Sequence, residues 1–526
     1  MDQRKGVGGP RRGASACLGA IRRVWGGQGA GALAVILLGS LAFRLHVANE
    51  CSLWLDEVST WSYVQEPWAK VVQGPNIGHL PLMYVLVKAA TTLLGDGDVA
   101  VRSVSLLFGC FLLIALQELC LELRLSVPKA LVVVATFALT SFFIRQATEA
   151  RHYALLMAFS TFAVTRALRL LRGSERWSDW LLFAAAESGA AATHYLGLAY
   201  AAVLLGVVGL GAPWSQKRPS LIGRLGVLLG CLTVLARVGW GARQASAEFG
   251  VGQVGAEAAV GFNMGLLREV LGEFSFLAGP GWSVAVQPVL SLLGLALLTR
   301  RLSGVARLLP FGLGLAPWLA GAAVPAAHFW AARYFAPSAV FWHLGACVSL
   351  FAIAERLRTG FDRRLHVTWV PATLYVVAFS GLLASRLSEY PSGFGAGSDD
   401  YRAFQQYFAT HLAFRTRVVT YPGPFGIHLL GWRYPVVGWP IALEAFEPRR
   451  RARRYVIVEI HTDGAERQKE LESLVARKFG MSPEAWRATP LIRVPHSMYQ
   501  TAVRARLVTL PRETRNQRHE EHHQRH

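Results

Sequence analysis

The hydrophobic positions of this chain are gathered into long blocks separated by short basic or polar links. Most blocks are about 17 to 23 residues long, the length that a helix needs to cross a hydrocarbon layer of about 30 Å. The pattern therefore predicts an α-helical polytopic membrane protein with about eleven transmembrane helices. The predicted spans lie near residues 31–48, 99–121, 129–146, 153–171, 178–195, 197–213, 221–238, 281–298, 309–325, 335–354 and 366–386.

Arginine and lysine concentrate in alternate links between these spans, and Arg166, Arg169, Arg172 and Arg176 form one such cluster. Cytoplasmic loops of membrane proteins carry this excess of basic residues. The pattern predicts a multi-pass protein of the cell membrane, with the basic tail 1–30 in the cytoplasm and the C-terminus outside. The net charge of +21 is explained by these loops, so nucleic acid is not an expected partner.

One apolar run, residues 80–94, is only about 15 residues long and carries Lys88, features that favour the membrane surface over a span. The segment after Asp56 has aromatic and valine positions that suit a second surface helix, which Pro67 is expected to break. The outer loop 49–98 is thus predicted to lie along the lipid surface. A second outer loop, 239–280, is a candidate substrate-gating segment, with disorder as the equal alternative.

Beyond the membrane domain, 31–386, the composition becomes polar and predicts a small extracytoplasmic α/β domain over residues 387–511. Its predicted helices are 399–411 and 465–479, and its predicted strands are 417–421, 454–460, 491–494 and 507–510. The last residues, 512–526, form a His-rich tail with almost no apolar content, which is typical of disorder.

Composition changes this interpretation little. The chain is 53% hydrophobic with a mean hydropathy of +0.33, above the usual apolar share of roughly 45 to 50% in soluble domains. Its six cysteines fall mostly within apolar blocks and suggest neither a disulfide framework nor a metal site. No glycine-rich nucleotide fingerprint has the strand-then-helix context that it needs.

The strongest chemical signal is the adjacent acid pair Asp56 and Glu57, framed by Trp54 and Trp61 just after the first span. Because the first span is predicted to cross the membrane, the pair is expected at the outer surface, where an apolar lipid and a polar substrate can meet. Two adjacent, partly buried carboxylates raise one another's pKa, which suits a general base. We therefore expect this pair to be the centre of an active site, although a solvated surface acid remains the alternative.

A series of short motifs along the chain resembles the successive motifs of one family. They are Arg44-Leu45 followed by Leu53-Trp54-Leu55-Asp56-Glu57, His79-Leu80-Pro81-Leu82-Met83-Tyr84, Arg102-Ser103-Val104-Ser105, Ala147-Thr148-Glu149-Ala150-Arg151-His152-Tyr153, and Arg333-Tyr334-Phe335-Ala336-Pro337. In this order they resemble the polytopic GT-C glycosyltransferases related to protein mannosyltransferases and aminoarabinose transferases. Leu80 and Thr148 depart from that family's usual residues.

The resemblance implies transfer of a sugar from a polyprenyl-phosphate donor to an extracytoplasmic glycan, lipid or protein, generally with inversion at the anomeric carbon. It implies that Asp56 is the catalytic carboxylate, with Glu57 as second choice. Cations would meet the charge on the leaving phosphate. The expected donor-phosphate and substrate-binding residues are Arg44, His79, Glu149, Arg151, Arg333 and Tyr334.

Several polar residues at the span ends also have a structural interpretation. Arg44 and Arg102 could extend to the membrane surface without a further role, Glu149 and Arg151 could cap a helix, and His194 at a short hairpin is expected to be structural. A divalent metal held by Asp56, His79 and Glu149 is compatible with the residue types. Their wide separation in sequence gives no support for it, so no cofactor is predicted.

A transporter or flippase for a lipid-linked saccharide is the alternative from another functional class. Such proteins keep ionisable residues deep in their spans along the transport pathway. In this chain Glu187 is the one acid predicted near the middle of a span, whereas the other acids concentrate toward span ends. The pattern favours the enzyme.

Overall fold

A computed structural model of the chain describes residues 29–50, 53, 55–73, 80–174, 176–211, 282–315, 332–365, 416–421, 441–442, 454–460, 465–489 and 503–509. The chain divides into two compact units. The first comprises Met1–Ala48 and Tyr63–Phe394, and the second comprises Asn49–Ser62 and Gly395–His526. The predicted outer loop 239–280 and the His-rich tail lie outside the described residues.

Helices account for the described part of the first unit, and one of them, α2, begins in the second unit. They are α1 (Ala30–Glu50), α2 (Leu55–Val64), α3 (Trp68–Gln73), α4 (Pro81–Leu94), α5 (Asp98–Glu122), α6 (Val127–Leu139), α7 (Ser141–Thr148), α8 (Tyr153–Leu171), α9 (Trp177–Thr193), α10 (Tyr195–Gly211), α11 (Trp282–Arg301) and α12 (Ala336–Leu365). A short apolar helix, Gly304–Leu315, lies between α11 and α12.

Among the described residues, four helices are long and apolar enough to cross a membrane: Ala30–Asn49, Asp98–Glu122, Tyr153–Leu171 and Ala336–Leu357. They coincide with four predicted spans, so the prediction of a polytopic helical membrane protein is confirmed. The predicted spans 221–238 and 366–386 lie outside the described residues. The total of about eleven therefore stays a prediction.

The predicted continuous span 129–146 is wrong in one respect. The structure divides it into α6 and α7, with a bend of 63° between them. Thr140 at the junction has extended backbone, and its Oγ1 donates to the carbonyl oxygen of Thr136 at 2.8 Å. Threonine hydroxyls that bond to the preceding turn compete with the helix ladder and bend helices, and no proline is needed to explain the break.

The segments that the sequence predicts to lie at the membrane surface have the predicted helix bounds. Helix α2 ends at Val64 and α3 begins at Trp68, with Pro67 between them. Proline cannot supply the N–H that would continue the helix, which explains the predicted break. Helix α4 has 14 residues, too few to span a hydrocarbon layer of about 30 Å unless the bilayer becomes thinner around it.

Close helix packing determines which helix ends meet. Helices α5 and α8 run in the same direction, since Ser105 lies beside Arg151 at their starts and Glu118 pairs with Arg166 near their ends. Helix α9 begins beside the C-terminal ends of α5 and α8, where Asp179 pairs with Arg166, and runs in the opposite direction. The core between these helices contains large buried side chains, including Phe137, Phe143, Tyr153, Trp180 and Phe335.

The described part of the second unit contains a four-stranded sheet in the order β2-β1-β3-β4. Its strands are β1 (Thr416–Tyr421), β2 (Ile441–Ala442), β3 (Arg454–Ile460) and β4 (Val503–Thr509). Strand β1 is parallel to β2 and β3, and β4 is antiparallel to β3. Helices α13 (Ala465–Phe479) and α14 (Pro483–Ala488) complete an α/β arrangement, as the sequence predicts. The predicted helix 399–411 and strand 491–494 lie outside the described residues.

Candidate active site

The acid pair lies in the first turn of α2. Glu57 is completely buried, and Asp56 is half-buried. The carbonyl oxygen of Asp56 accepts a hydrogen bond from Thr60 Oγ1 at 3.1 Å, which stabilises this turn. The N-terminal end of a helix favours negative charge. The turn therefore offers one carboxylate that solvent can reach beside one held in the interior.

Two predicted arginines lie in the first unit near the C-terminal end of α1, and both are buried. Arg102 Nη1 donates to the carbonyl oxygen of Ala48 at 2.7 Å, so it caps the end of α1. Arg44 lies against α5, where a Cβ atom on Gly109 would be 2.8 Å from its Nη1. Neither side chain extends to the surface, so that alternative is wrong for both.

None of the three guanidinium nitrogens of Arg44 meets hydrogen-bond geometry with a described residue, and the neighbouring group is the side chain of Cys110. A buried charge without a partner is unfavourable by several kcal/mol. Ala147 of α7 packs close to the same point, because the hypothetical Cβ of Gly109 would also lie 2.5 Å from the Ala147 Cβ. The Arg44 guanidinium is therefore packed tightly between α5 and α7.

Glu149 and Arg151 lie in the short link between α7 and α8. The Arg151 N–H donates to the carbonyl oxygen of Glu149 at 2.7 Å, and the Arg151 carbonyl accepts from Ser105 Oγ at 3.2 Å. Glu149 Oε1 lies 3.9 Å from Nε of Arg145, a residue that the sequence patterns do not single out. The link is thus a fixed turn anchored to α5.

Four rings meet beside this turn, and we call them the aromatic cluster: His152, Tyr153, His194 and Tyr334. The rings of His152 and His194 stack with centroids 4.4 Å apart, and Tyr334 lies 5.9 Å from His194 and 6.2 Å from Tyr153. Nδ1 of His194 accepts the N–H of Leu196 at 3.1 Å. Its Nε2 therefore carries the proton of the neutral ring and acts as a donor.

The aromatic cluster brings together residues that are far apart in the sequence. Tyr334 is a predicted site residue, whereas His152 appears only within a motif and His194 is expected to cap a hairpin. His194 does occupy that hairpin, between α9 and α10. No local pattern marks its contact with His152, because the contact depends on how α8 and α9 are packed.

Two predicted site residues are described incompletely or not at all. His79 lies outside the described residues. Arg333 is part of a short 3-10 helix, Ala332–Phe335, that leads into α12, and its side chain lies outside the described part. Within the described ranges, no group of three or more histidine, cysteine, aspartate or glutamate side chains could hold a metal ion.

At the opposite ends of α5 and α8 lies a network of ion pairs. Arg166 donates to both carboxylate oxygens of Glu118, at 2.7 and 2.6 Å, and to Asp179 Oδ1 at 3.1 Å. Arg169 also pairs with Glu118, at 2.7 Å, and Arg172 pairs with a neighbouring acid. These arginines belong to a predicted cytoplasmic cluster, and here they connect three helices.

No model of a known protein family matches the chain, and no curated protein matches it in sequence. Solved structures do match in fold. The crystal structure of ArnT from Cupriavidus metallidurans in the apo state has a TM-score of 0.52 and 13% identity, covering 91% of this chain and 98% of that chain. ArnT from the same organism bound to undecaprenyl phosphate has a TM-score of 0.51 and 11% identity, with the same coverage.

The archaeal oligosaccharyltransferase AglB from Archaeoglobus fulgidus, in complex with an inhibitory peptide and a dolichol-phosphate, has a TM-score of 0.49 and 10% identity over 88% of this chain and 72% of that chain. The similarity to ArnT extends over almost the whole of both chains. The chain therefore has the type of fold seen in ArnT, which is the GT-C fold that its motif order indicates.

Proposed function

We propose that the protein is a membrane glycosyltransferase that moves a sugar from a polyprenyl-phosphate-linked donor to an extracytoplasmic glycan, lipid or protein. The observation that carries the proposal is the acid pair in the first turn of α2, on a chain whose fold resembles that of ArnT. One ArnT structure contains undecaprenyl phosphate, a polyprenyl phosphate. The proposed donor belongs to the same chemical class.

Asp56 is the proposed base. Its carboxylate accepts the proton of the acceptor hydroxyl while that oxygen bonds to the anomeric carbon. The bond from the anomeric carbon to the donor phosphate breaks, and its electron pair stays on the phosphate oxygen. Attack opposite to the leaving group inverts the anomeric centre. Buried Glu57 keeps a second carboxylate beside Asp56 in the same turn.

The leaving phosphate needs cations and hydrogen-bond donors. Arg44 is suited to this because its guanidinium is buried without a carboxylate partner among the described residues, with the Cys110 side chain as its neighbour. We assign Arg151 and Arg333 to the same role, and Tyr334 and His79 to hydrogen bonds with the donor. Glu149 is assigned to a sugar hydroxyl, since its pairing with Arg145 orients it. No step requires a metal.

Transfer of radiolabelled sugar from polyprenyl-phosphate donors to lipid, glycan and protein fractions tests the proposal. Asp56→Asn is expected to lower transfer by at least about 100-fold, because general base catalysis is lost. The control is Asp96→Asn, which replaces an exposed acid in the same predicted outer loop and should retain full activity. Equal transfer by wild type and Asp56→Asn removes Asp56 from the mechanism. No transfer by wild type from any donor rejects the enzyme.

One observation favours the second candidate, a transporter or flippase for a lipid-linked saccharide. Glu187 lies within α9 and is only 2% exposed, and a buried acid within a membrane helix often marks a transport pathway. Sealed vesicles separate the two functions. Movement of donor across the membrane that Glu187→Gln abolishes, without any glycosidic bond formed, supports transport.

A further inference from the structure

Lys88 of α4 forms contacts that its sequence position does not suggest. Its Nζ donates to the carbonyl oxygen of Val64 at 2.8 Å and to that of Glu66 at 2.7 Å. It also lies 5.3 Å from the ring centroid of Trp68. The lysine thus contacts the last residue of α2, the turn after it and the first residue of α3.

These contacts lie where α2 is weakest. The helix has 10 residues, and isolated helices shorter than about 12 to 15 residues are marginal. Pro67 prevents α2 from continuing into α3. The last carbonyl groups of a helix have no partners within it and carry the negative end of its dipole. An ammonium group satisfies both the hydrogen-bonding and the charge requirement.

Other contacts hold the same three helices together. Tyr63 Oη donates to the carbonyl oxygen of Lys70 at 2.7 Å, and its ring packs edge-on against Tyr84 with centroids 5.0 Å apart. Val87, on the turn of α4 that carries Lys88, is completely buried. Helix α4 is therefore packed against its neighbours, and Lys88 is the side chain of α4 that hydrogen-bonds to the C-terminal end of α2.

Asp56 lies at the other end of the same helix. Eight residues separate it from Val64, a distance of about 12 Å along the axis at about 1.5 Å per residue. As long as α2 stays helical, a tilt at its C-terminal end moves its N-terminal end. A misplacement of about 1 Å at a reacting group lowers a rate by about 100-fold.

We propose that Lys88 is a positioning residue for Asp56: its bonds to the Val64 and Glu66 carbonyls hold the C-terminal end of α2 and so determine where the carboxylate lies. This inference rests on the proposed function of Asp56. It assigns Lys88 no contact with donor or acceptor. The lysine acts only through the helix.

The test uses the full chain in lipid nanodiscs and compares Lys88→Met, which keeps the length of the side chain and removes its donors, with Lys88→Arg, which keeps them. Lys70→Met is the matched control, because the Lys70 side chain is 57% exposed and its ammonium pairs with Glu66 one turn away. Three quantities are measured: amide hydrogen exchange over residues 58–66, the kinetic constants for transfer, and the pH profile of the rate.

Lys88→Met is expected to raise exchange at the end of α2 and to lower kcat by about 10- to 100-fold. KM for the donor stays within about threefold of wild type and the acid limb of the pH profile does not move, since phosphate contacts and the carboxylate itself are unchanged. Lys88→Arg restores most of the kcat. Lys70→Met matches wild type in all three measurements.

Unchanged exchange, or raised exchange with unchanged kcat, overturns the proposal. A loss that appears only in KM also contradicts it, because it indicates direct donor binding by the lysine. A loss that Lys88→Arg does not relieve contradicts it as well, because hydrogen-bond donors are then present without effect. Wild type that transfers no sugar at all rejects the proposed function instead. The exchange measurement alone then decides whether Lys88 holds α2, and unchanged exchange rejects that as well.

Discussion

The imidazole ring of His152 lies on that of His194, with centroids 4.4 Å apart and planes 29° from parallel. This contact joins the start of α8 to the turn between α9 and α10. The same His194 ring accepts the Leu196 N–H through Nδ1 at 3.1 Å. One side chain therefore holds together a helix pair and the turn of a hairpin.

His194→Ala is expected to destabilise the protein by about 2 kcal/mol. It removes a ring contact worth about 0.5 to 1.5 kcal/mol and leaves the Leu196 N–H without its acceptor. His194→Asn keeps an acceptor near the Nδ1 position and should lose about half as much. Thermal unfolding in detergent micelles measures both. An alanine variant as stable as wild type would show that the stacking contributes nothing.

Arg166→Met is expected to cost about 3 to 5 kcal/mol, because it removes the most buried cation of the network and leaves only Arg169 beside the carboxylates of Glu118 and Asp179. Both acids are less than 10% exposed, as is Arg166 itself. Arg172→Met is the matched control, since the Arg172 side chain is 34% exposed and such pairs contribute at most about 1 kcal/mol. Both variants are compared by thermal unfolding. Equal losses would contradict the importance of burial.

Gly294→Ala is expected to separate α11 from α12. A Cβ atom at Gly294 would collide with the backbone of Gly345, and a Cβ at Gly345 would lie 2.5 Å from the Ser291 carbonyl oxygen. Backbone cannot move aside as a side chain can, so we expect a loss of at least about 1 to 3 kcal/mol.

The control for this substitution is Gly206→Ala on α10. Gly206 is exposed, and among the described residues no atom lies within 4 Å of the position that its Cβ would take. Alanine has the higher helix propensity, by about 1 kcal/mol, so this variant should be as stable as wild type or more so. Thermal unfolding of the two variants side by side separates close packing from propensity.

The stability of the second unit should depend on pH through Glu472. Arg487 donates to both carboxylate oxygens, at 2.6 and 2.7 Å, and this lowers the pKa of Glu472 below its ordinary value. A carboxyl group whose pKa is lowered on folding stabilises the fold above the unfolded pKa of about 4.3. That contribution is lost as the pH falls through the lower folded pKa.

Amide exchange over α13 in the full chain measures this effect. Glu472→Gln should exchange faster than wild type at neutral pH, and the difference should shrink as the pH falls below about 4.3. A difference that grows toward acid pH would show that the sign is wrong. Lys469→Gln, on the same helix, is the control for an altered charge outside this pair.

The predicted topology has its own test in reporter fusions at Gln216 and Gly395, both outside the described residues. Gln216 is expected to report the cytoplasm and Gly395 the opposite side, because basic links face the cytoplasm. Equal readings at the two positions would refute the predicted number of spans between them.

Local features of the sequence predict much of the fold. Helix α13 begins and ends where its pattern predicts, α8 matches the predicted span 153–171, and the helix break at Pro67 is confirmed. Apolar length, helical periodicity and proline act within one segment. They are therefore readable without knowledge of the neighbouring helices. The motif order likewise identifies the GT-C type of fold.

Side-chain partnerships between helices could not be predicted in this way. Nothing near Lys88 indicates that it binds the end of α2, nothing near Arg166 identifies Glu118 as its partner, and the stacking of His152 on His194 joins positions in different helices. Each depends on the rotation and depth of one helix against another. Many helix arrangements are compatible with the same periodic pattern. Packing of the whole core selects one of them.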